Sequence, residues 1–284
     1  MIIRVRCGNA ALSGQITRVI NKKNNITFGR IYQYIHRMND RSGEVLVSIV
    51  IATYNAAHHL EACLQSVSAQ TAAGIEVVLV DGGSTDHTME IIKASGLPLL
   101  QWISEPDKGI YDALNKGARM ARGKYVYFLG ADDRLLPGFS DLLAQAKDDH
   151  TVYYGDSEGY SDKGEVPYIL MKGSFSKYRL AKLCMNHQSI IYPKTVFEKY
   201  TYNLRYKVFA DWALNLLLWG DRSFRKQYYP VSIVMYNLSG FSFDTRDLLF
   251  EQDRLQLIRK GMGWWMYMRI RLKNFKKSWA KRKI

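Results

Sequence analysis

Cysteine is scarce in this chain: Cys7, Cys63 and Cys184 are the three in 284 residues. They are too few and too far apart for a disulfide framework or a zinc site, and they fit a reducing compartment such as the cytoplasm. No run of about eighteen uncharged apolar residues occurs, which argues against a membrane-spanning helix. The opening stretch from Met1 to Cys7 has no apolar core of the kind a signal peptide needs. Acidic residues are outnumbered 26 to 40, giving a formal charge of +14, and none follows Arg259. What is plentiful is apolar side chain, 47% of the residues, enough at this length for one large α/β domain with an appendage.

From Val45 the chain alternates between two periodicities. Val45 to Ala52 is a near-continuous apolar, β-branched run, stopped by Thr53-Tyr54-Asn55. His58 to Ala69 carries Leu60, Cys63, Leu64 and Val67 at the spacing of an amphipathic helix. Ile75 to Val80 reads as a second strand, ending at Asp81-Gly82-Gly83-Ser84-Thr85-Asp86, where the glycines permit a tight turn and Ser84 or Thr85 is placed to cap a helix over Thr88 to Ala94. Leu99 to Ile103, Tyr111 to Ala121 and Tyr125 to Leu129 then read as strand, helix and strand. Continuous apolar strands interleaved with helices predict a Rossmann-like α/β fold, its mostly parallel central sheet covered on both faces.

Ligands of such sheets bind beyond the carboxyl ends of the strands. Thr53-Tyr54-Asn55, Asp81 to Asp86, Glu105 to Tyr111 and the pair Asp132-Asp133 each follow one of the four strands, so all four groups are expected on one edge. Two adjacent carboxylates repel unless a proton or cation lies between them, and their hard oxygens suit Mg²⁺ or Mn²⁺, which commonly take further ligands from phosphates. A helix N-cap is the structural alternative for the pair.

Taken in order, Val47 to Asn55, Val80 to Thr88, Ser104 to Gly117, Asp132-Asp133, Asn186-His187-Gln188-Ser189 and Ala210-Asp211-Trp212 resemble the family 2 inverting glycosyltransferases, of bacterial surface-polysaccharide type, whose fold is called GT-A. The resemblance covers Val45 to about Leu218. It implies that Asp81 accepts a hydrogen bond from the nucleotide base, that Thr53, Tyr54 and Asn55 line the base and ribose pocket, and that Gly83 and Ser84 belong to the same nucleotide site. It further implies that Asp133, helped by Asp132, holds a divalent cation against the diphosphate, and that Lys108 and His187 meet the donor. Gly130-Ala131 stands where many relatives carry Asn-Ser or another acid. Asp211 is the implied base that removes the acceptor proton from the face opposite the leaving group, which inverts the anomeric centre. A carboxylate at the head of the apolar run Ala210 to Leu218 is costly without a purpose, although it also suits an N-cap.

From Arg259 to Ile284 there are ten basic residues and no acid. Trp264, Met268, Leu272, Phe275 and Trp279 fall on one face of a helical wheel, with Arg269, Lys273, Lys276, Lys277 and Lys281 largely opposite. This is the pattern of a basic amphipathic helix lying in an anionic membrane surface, with a domain-packed helix as the alternative.

The expected organisation is therefore an N-terminal extension over residues 1–44, a GT-A domain over 45–245 with a nucleotide-sugar half (45–135) and an acceptor half (136–245), and a basic C-terminal helical region over 246–284. The expected activity is transfer from a UDP-linked sugar to a glycan or lipid-linked acceptor. The expected location is cytoplasmic, peripheral at the inner face of the membrane, with no nucleic-acid partner. Competing readings are a sugar-nucleotide nucleotidyltransferase, which would be expected to show a Gly-rich basic loop where Thr53 to Ala57 stands, and a non-catalytic membrane- or nucleic-acid-binding module.

Overall fold

A computed structural model describes residues 44–160, 168–239 and 246–281. The expectation for residues 1–44 lies outside them except at Glu44. In chain order the elements are β1 (Val47–Thr53), α1 (Ala57–Ser68), β2 (Ile75–Asp81), α2 (Thr88–Ala94), β3 (Leu100–Ser104), α3 (Ile110–Met120), β4 (Tyr125–Gly130), β5 (Arg134–Leu135), α4 (Gly138–Leu143), β6 (Thr151–Tyr160), β7 (Tyr168–Met171), α5 (Lys177–Lys182), a 3₁₀ turn (His187–Ser189), β8 (Ile190–Pro193), α6 (Thr195–Lys199), α7 (Ala210–Gly220), β9 (Arg225–Asn237), α8 (Leu248–Met262) and α9 (Trp264–Lys281).

Among the described residues nine strands form one sheet in the order β3-β2-β1-β4-β8-β6-β9-β5, with β7 on β6. Its parallel character belongs to the first half, where β3, β2, β1 and β4 all run the same way. Beyond β4 the sheet turns: β8 is antiparallel to β4, β6 is antiparallel to β8, and β9 runs parallel to β6. Every residue of β2 is buried, and so is β1 except at Ala52, as continuous apolar strands covered on both faces should be. Alternation within those runs divides the core. Val50, Val126 and Phe128 face a layer containing Tyr111, Leu114 and the apolar face of α7. Ile49, Ile51, Tyr127 and Leu129 face a layer containing α1 and Phe139.

Strand register levels the carboxyl ends. Thr53 pairs with Asp81, and Asp81 with Ser104, so three polar side chains stand abreast at one edge. The expected cap of α2 differs in detail. Ser84 and Thr85 do not cap it; the Asp86 carboxylate accepts from the Thr88 amide at 3.0 Å. Ser84 is engaged elsewhere, as described below.

The C-terminal helices are part of this unit. Phe250, Ile258 and Ile270 are buried in the same core as Trp212 and Leu216. Asp247 caps α8 through the Phe250 amide (3.1 Å), while its other oxygen accepts from the Val208 amide (3.0 Å) just ahead of α7. The two helices cross where neither has a side chain: a Cβ on Gly220 would collide with the Gly261 carbonyl, and one on Gly261 with the Leu216 carbonyl.

Gly220→Ala is accordingly expected to lever α8 off α7 at a cost of about 1–3 kcal/mol, the usual range for overpacking. Urea unfolding monitored by circular dichroism checks this, through a lowered midpoint at unchanged slope.

Candidate functional site

The first part of the site is a pair of interlocked loops after β1 and β2. Asp81 is fully buried, and its two oxygens accept from the hydroxyls of Thr53 (3.1 Å), Ser84 (2.5 Å) and Ser104 (2.7 Å) and from the amides of Gly83 (3.1 Å) and Ser84 (2.9 Å). Burial would raise the pKa of this carboxyl, but hydrogen bonds from Ser84, Ser104 and Thr53 outweigh it and hold it below the ordinary carboxylate value. Asp81 is thus the hub that folds the Gly82-Gly83-Ser84 turn, with Gly83 at a left-handed φ of 85°. Asn55, at φ 48°, joins the two loops: its amide donates to the Ser84 hydroxyl at 2.8 Å and its side-chain oxygen accepts from the Thr85 amide at 2.9 Å.

Beside this hub, Gly82, Asp107 and an exposed aromatic ring come together. The Tyr54 ring is 67% exposed. A Cβ at Gly82 would lie 2.7 Å from an Asp107 oxygen and 3.4 Å from Tyr54 Cδ2, so the bare glycine, the acid and the ring converge on one place. Asp107 is itself held by the Gly109 amide at 2.8 Å. Lys108 is exposed next to it, whereas Lys116 is committed to Glu105 at 2.7 Å and Asp112 at 3.6 Å.

At the end of β4 the two neighbouring carboxylates part company. Asp133 is 1% exposed and turned inward, where it accepts from Gln188 Nε2 at 2.5 Å and from the Asn237 amide at 2.6 Å. Asp132 is only half-buried. Gly130 makes this possible, because a Cβ there would collide with the Asp133 carboxylate and lie 3.1 Å from Asp132 Oδ1. Burial, reinforced by the charge of Asp132, pushes the Asp133 pKa up to about 8. Two neighbouring carboxylates offer the hard oxygens that suit a divalent cation, and of the two Asp132 is the less buried. Among the described residues no group of three or more His, Cys, Asp or Glu gathers to hold a metal.

Gln188 connects this corner to the second half of the site. Its side-chain oxygen accepts from the Gly130 amide (3.0 Å) and its main-chain oxygen from the Tyr127 hydroxyl (2.5 Å). The preceding residue, His187, faces the other way and puts Nδ1 3.0 Å from Asp211 Oδ2. The other Asp211 oxygen accepts from the Tyr111 hydroxyl at 3.1 Å and the Trp212 amide at 2.7 Å. Asp211 lies in the first turn of α7, not at its cap. Its side chain is 9% exposed and that of His187 17%. A carboxylate so placed, hydrogen-bonded yet reachable, can receive a proton from a hydroxyl brought to the edge.

The expected residues thus fall into two groups after the strand ends, one around Asp81 and one around Gln188 that holds Asp133, His187 and Asp211. Tyr111, Asn237 and Gln188 were not anticipated as partners. Gln188 was visible as the neighbour of His187; Asn237 acts through its backbone, which no side-chain pattern can signal.

The profile of glycosyl transferase family 2 matches residues 48–215. A PGL/p-HBAD biosynthesis glycosyltransferase of Mycobacterium bovis BCG is 36% identical over 209 residues, covering 69% of this chain and 78% of its own, and a Mycobacterium tuberculosis protein described in the same words matches equally. Among solved structures, S. aureus TarS 1-349 in complex with UDP-GlcNAc aligns with a TM-score of 0.60 at 18% identity, covering 76% of this chain and 71% of its own, and the UDP complex with a TM-score of 0.58 at 19%, covering 76% and 70%. At these identities the structural likeness establishes the fold, a GT-A fold with C-terminal helices added.

A carboxyl at about 4 unfolded and about 8 folded stabilises fully at low pH and loses that contribution as pH rises through about 8. The midpoint of thermal unfolding in EDTA should therefore fall from about pH 5 to about pH 8 and level off above, and between about pH 6.5 and 8 the fall should be shallower in Asp132→Asn, which removes the neighbouring charge. Equal slopes in the two proteins would refute the coupling.

Proposed function

Because the chain belongs to glycosyl transferase family 2 and is a glycosyltransferase, we propose that it moves a sugar from a UDP-linked donor to a hydroxyl of a glycan or lipid-linked acceptor, with inversion. The single observation that carries the reading is the tie through Gln188, which sets the acid pair after β4 beside the His187–Asp211 pair at the same edge. The nucleotide base would stack against the exposed Tyr54 ring, with Asp107 as a polar edge and Asp81 and Asn55 holding the loops behind it. TarS structures with UDP and UDP-GlcNAc support a nucleotide sugar as the ligand class.

Asp132 would hold a divalent cation, with Asp133 behind it as the buried anchor of the turn. When bound, that ion supplies Lewis-acid stabilisation to the departing diphosphate. Lys108, exposed at the rim, adds positive charge on the phosphate side. Asp211 Oδ2 takes the acceptor proton while His187 and Tyr111 fix the carboxylate's position and charge. Attack from the Asp211 side, opposite the diphosphate, gives inversion. Soluble sugar nucleotides and a chain so poor in cysteine suit work on the cytoplasmic side. Thr53 to Ala57 offers no glycine and no basic residue, which speaks against a triphosphate-binding nucleotidyltransferase.

Calorimetric titration with UDP, GDP and CDP, with and without Mn²⁺, tests the donor site. UDP should bind with Mn²⁺ and weakly without it. Tyr54→Ala should weaken that binding by a factor on the order of 5–150, as loss of a base–aromatic stack of about 1–3 kcal/mol requires. No binding of any nucleotide would sink the reading. Asp211→Asn should leave UDP binding unchanged yet lower sugar transfer by about 10²–10⁴, the share of a general base; retained transfer would remove Asp211 from the mechanism.

A further inference from the structure

Helix α9 has two apolar faces, and the domain uses only one. Ile270 is 1% exposed, and Met266 and Tyr267 pack against the same core. On the other side Trp264, Trp265, Leu272 and Phe275 are 54, 83, 55 and 69% exposed. At about 100° per residue those four lie within roughly a 100° arc, nearly opposite Ile270. A helix that served only to cover the domain would leave a polar outer face. Single exposed apolar residues need no explanation, but an aromatic stripe on a chain end with ten basic residues and no acid does.

The neighbouring helix extends the same chemistry. Helix α5 touches α9, and its Tyr178 ring is surrounded by cations: Arg269 at 3.9 Å, Lys182 at 4.5 Å and Lys273 at 5.8 Å from the ring centre. Lys177, Lys182 and Leu183 are exposed alongside, Leu183 at 51%. From there to the site is a short path. The Trp212 indole donates to the Leu180 carbonyl at 2.8 Å, next to Asp211, and four residues beyond Leu183 the chain reaches His187.

We propose that the α5–α9 face lies in the surface of an anionic lipid bilayer, with Trp264, Trp265, Leu272 and Phe275 in the interfacial zone and the Lys and Arg side chains on the headgroups. Tryptophan at the water–lipid boundary and flanking cations that reach outward are the physical requirements of an interfacial helix, and positive charge opposes the negative surface potential. Resting on the glycosyltransferase reading, the same arrangement brings the Asp211 end of the site toward lipid-linked acceptors while the exposed Tyr54 ring stays in water. The charge pattern of the sequence alone leaves packing or lipid as options for this helix; its two faces accommodate both.

Flotation of the full chain with vesicles of phosphatidylcholine, or of phosphatidylcholine with one-third phosphatidylglycerol, tests this directly. Binding is expected to the anionic vesicles, weakening as salt rises from 50 to 300 mM, and falling at least about tenfold in Trp265→Ser/Phe275→Ser and in Arg271→Glu/Lys273→Glu. The proposal is overturned by absence of binding, by equal binding to both vesicles, or by variants that bind like the parent. It is also overturned if the stripe seats a second copy, seen as a dimer in sedimentation that Trp265→Ser/Phe275→Ser dissociates, or if the chain prefers single-stranded RNA to vesicles. UDP titration of the same variants keeps the two readings apart. Vesicle binding without UDP binding would fault the donor site alone, and UDP binding without vesicle binding would fault the membrane surface alone.

Discussion

A buried carboxylate at the seam of the sheet organises this molecule. Asp133 lies where the parallel half meets the antiparallel half, and a charge or polar group there is tolerable only if it is satisfied from within. Its two partners come from distant parts of the chain, Gln188 from the turn before β8 and the Asn237 amide from the end of β9. Gly130 leaves the room for it. The consequence is that three segments are drawn to one point, and the neighbouring Asp132 is left half-buried in the same turn. Stability and site geometry thus share one interaction, and its charge makes the folded state sensitive to pH.

A second buried acid does the same for the other half of the edge. Asp81 gathers hydroxyls from β1, from β3 and from its own turn, so the loops after β1 and β2 are tied together by the protein's own hydrogen bonds. Preorganisation of this kind lowers the ordering cost of binding. Deeper in β2, Glu76 repeats the device at the opposite end of the sheet, accepting from Ser48, Gln101 and Arg122. Burial opposes its charge, but the hydrogen bonds from Ser48 and Arg122 prevail and lower its pKa. The parallel half is therefore pinned at both ends by acids inside it, with apolar packing between.

The C-terminal helices connect the site to the surface. Asp247 ties the start of α8 to the residues leading into α7, and Gly220 against Gly261 lets the helices approach closely. Trp212, adjacent to Asp211, packs on Phe250 of α8 with ring centres 4.9 Å apart. The helix carrying Asp211 is thus braced by elements that lie outside the stretch matched by the family profile.

Much of this was legible in the residues alone. Continuous apolar runs and 3.6-residue spacings located β1 to β4 and the helices between them, because those patterns are local and the parallel sheet demands them. The placement of polar groups after each strand was legible for the same reason, as was the ordered motif set that resembles family 2. Which of two adjacent acids turns inward was not. Asp132 and Asp133 differ by their partners, and those partners lie 55 and 104 residues from Asp133 along the chain. The same holds for Asp81, whose saturation by Thr53 and Ser104 follows from strand register, and for α9, whose wheel showed one apolar stripe while packing against the domain used another side of the helix. Local spacing determined the elements, their order and the chemistry they carry; only the tertiary structure decided the direction of each side chain, because burial and hydrogen-bond satisfaction are settled between segments far apart in sequence.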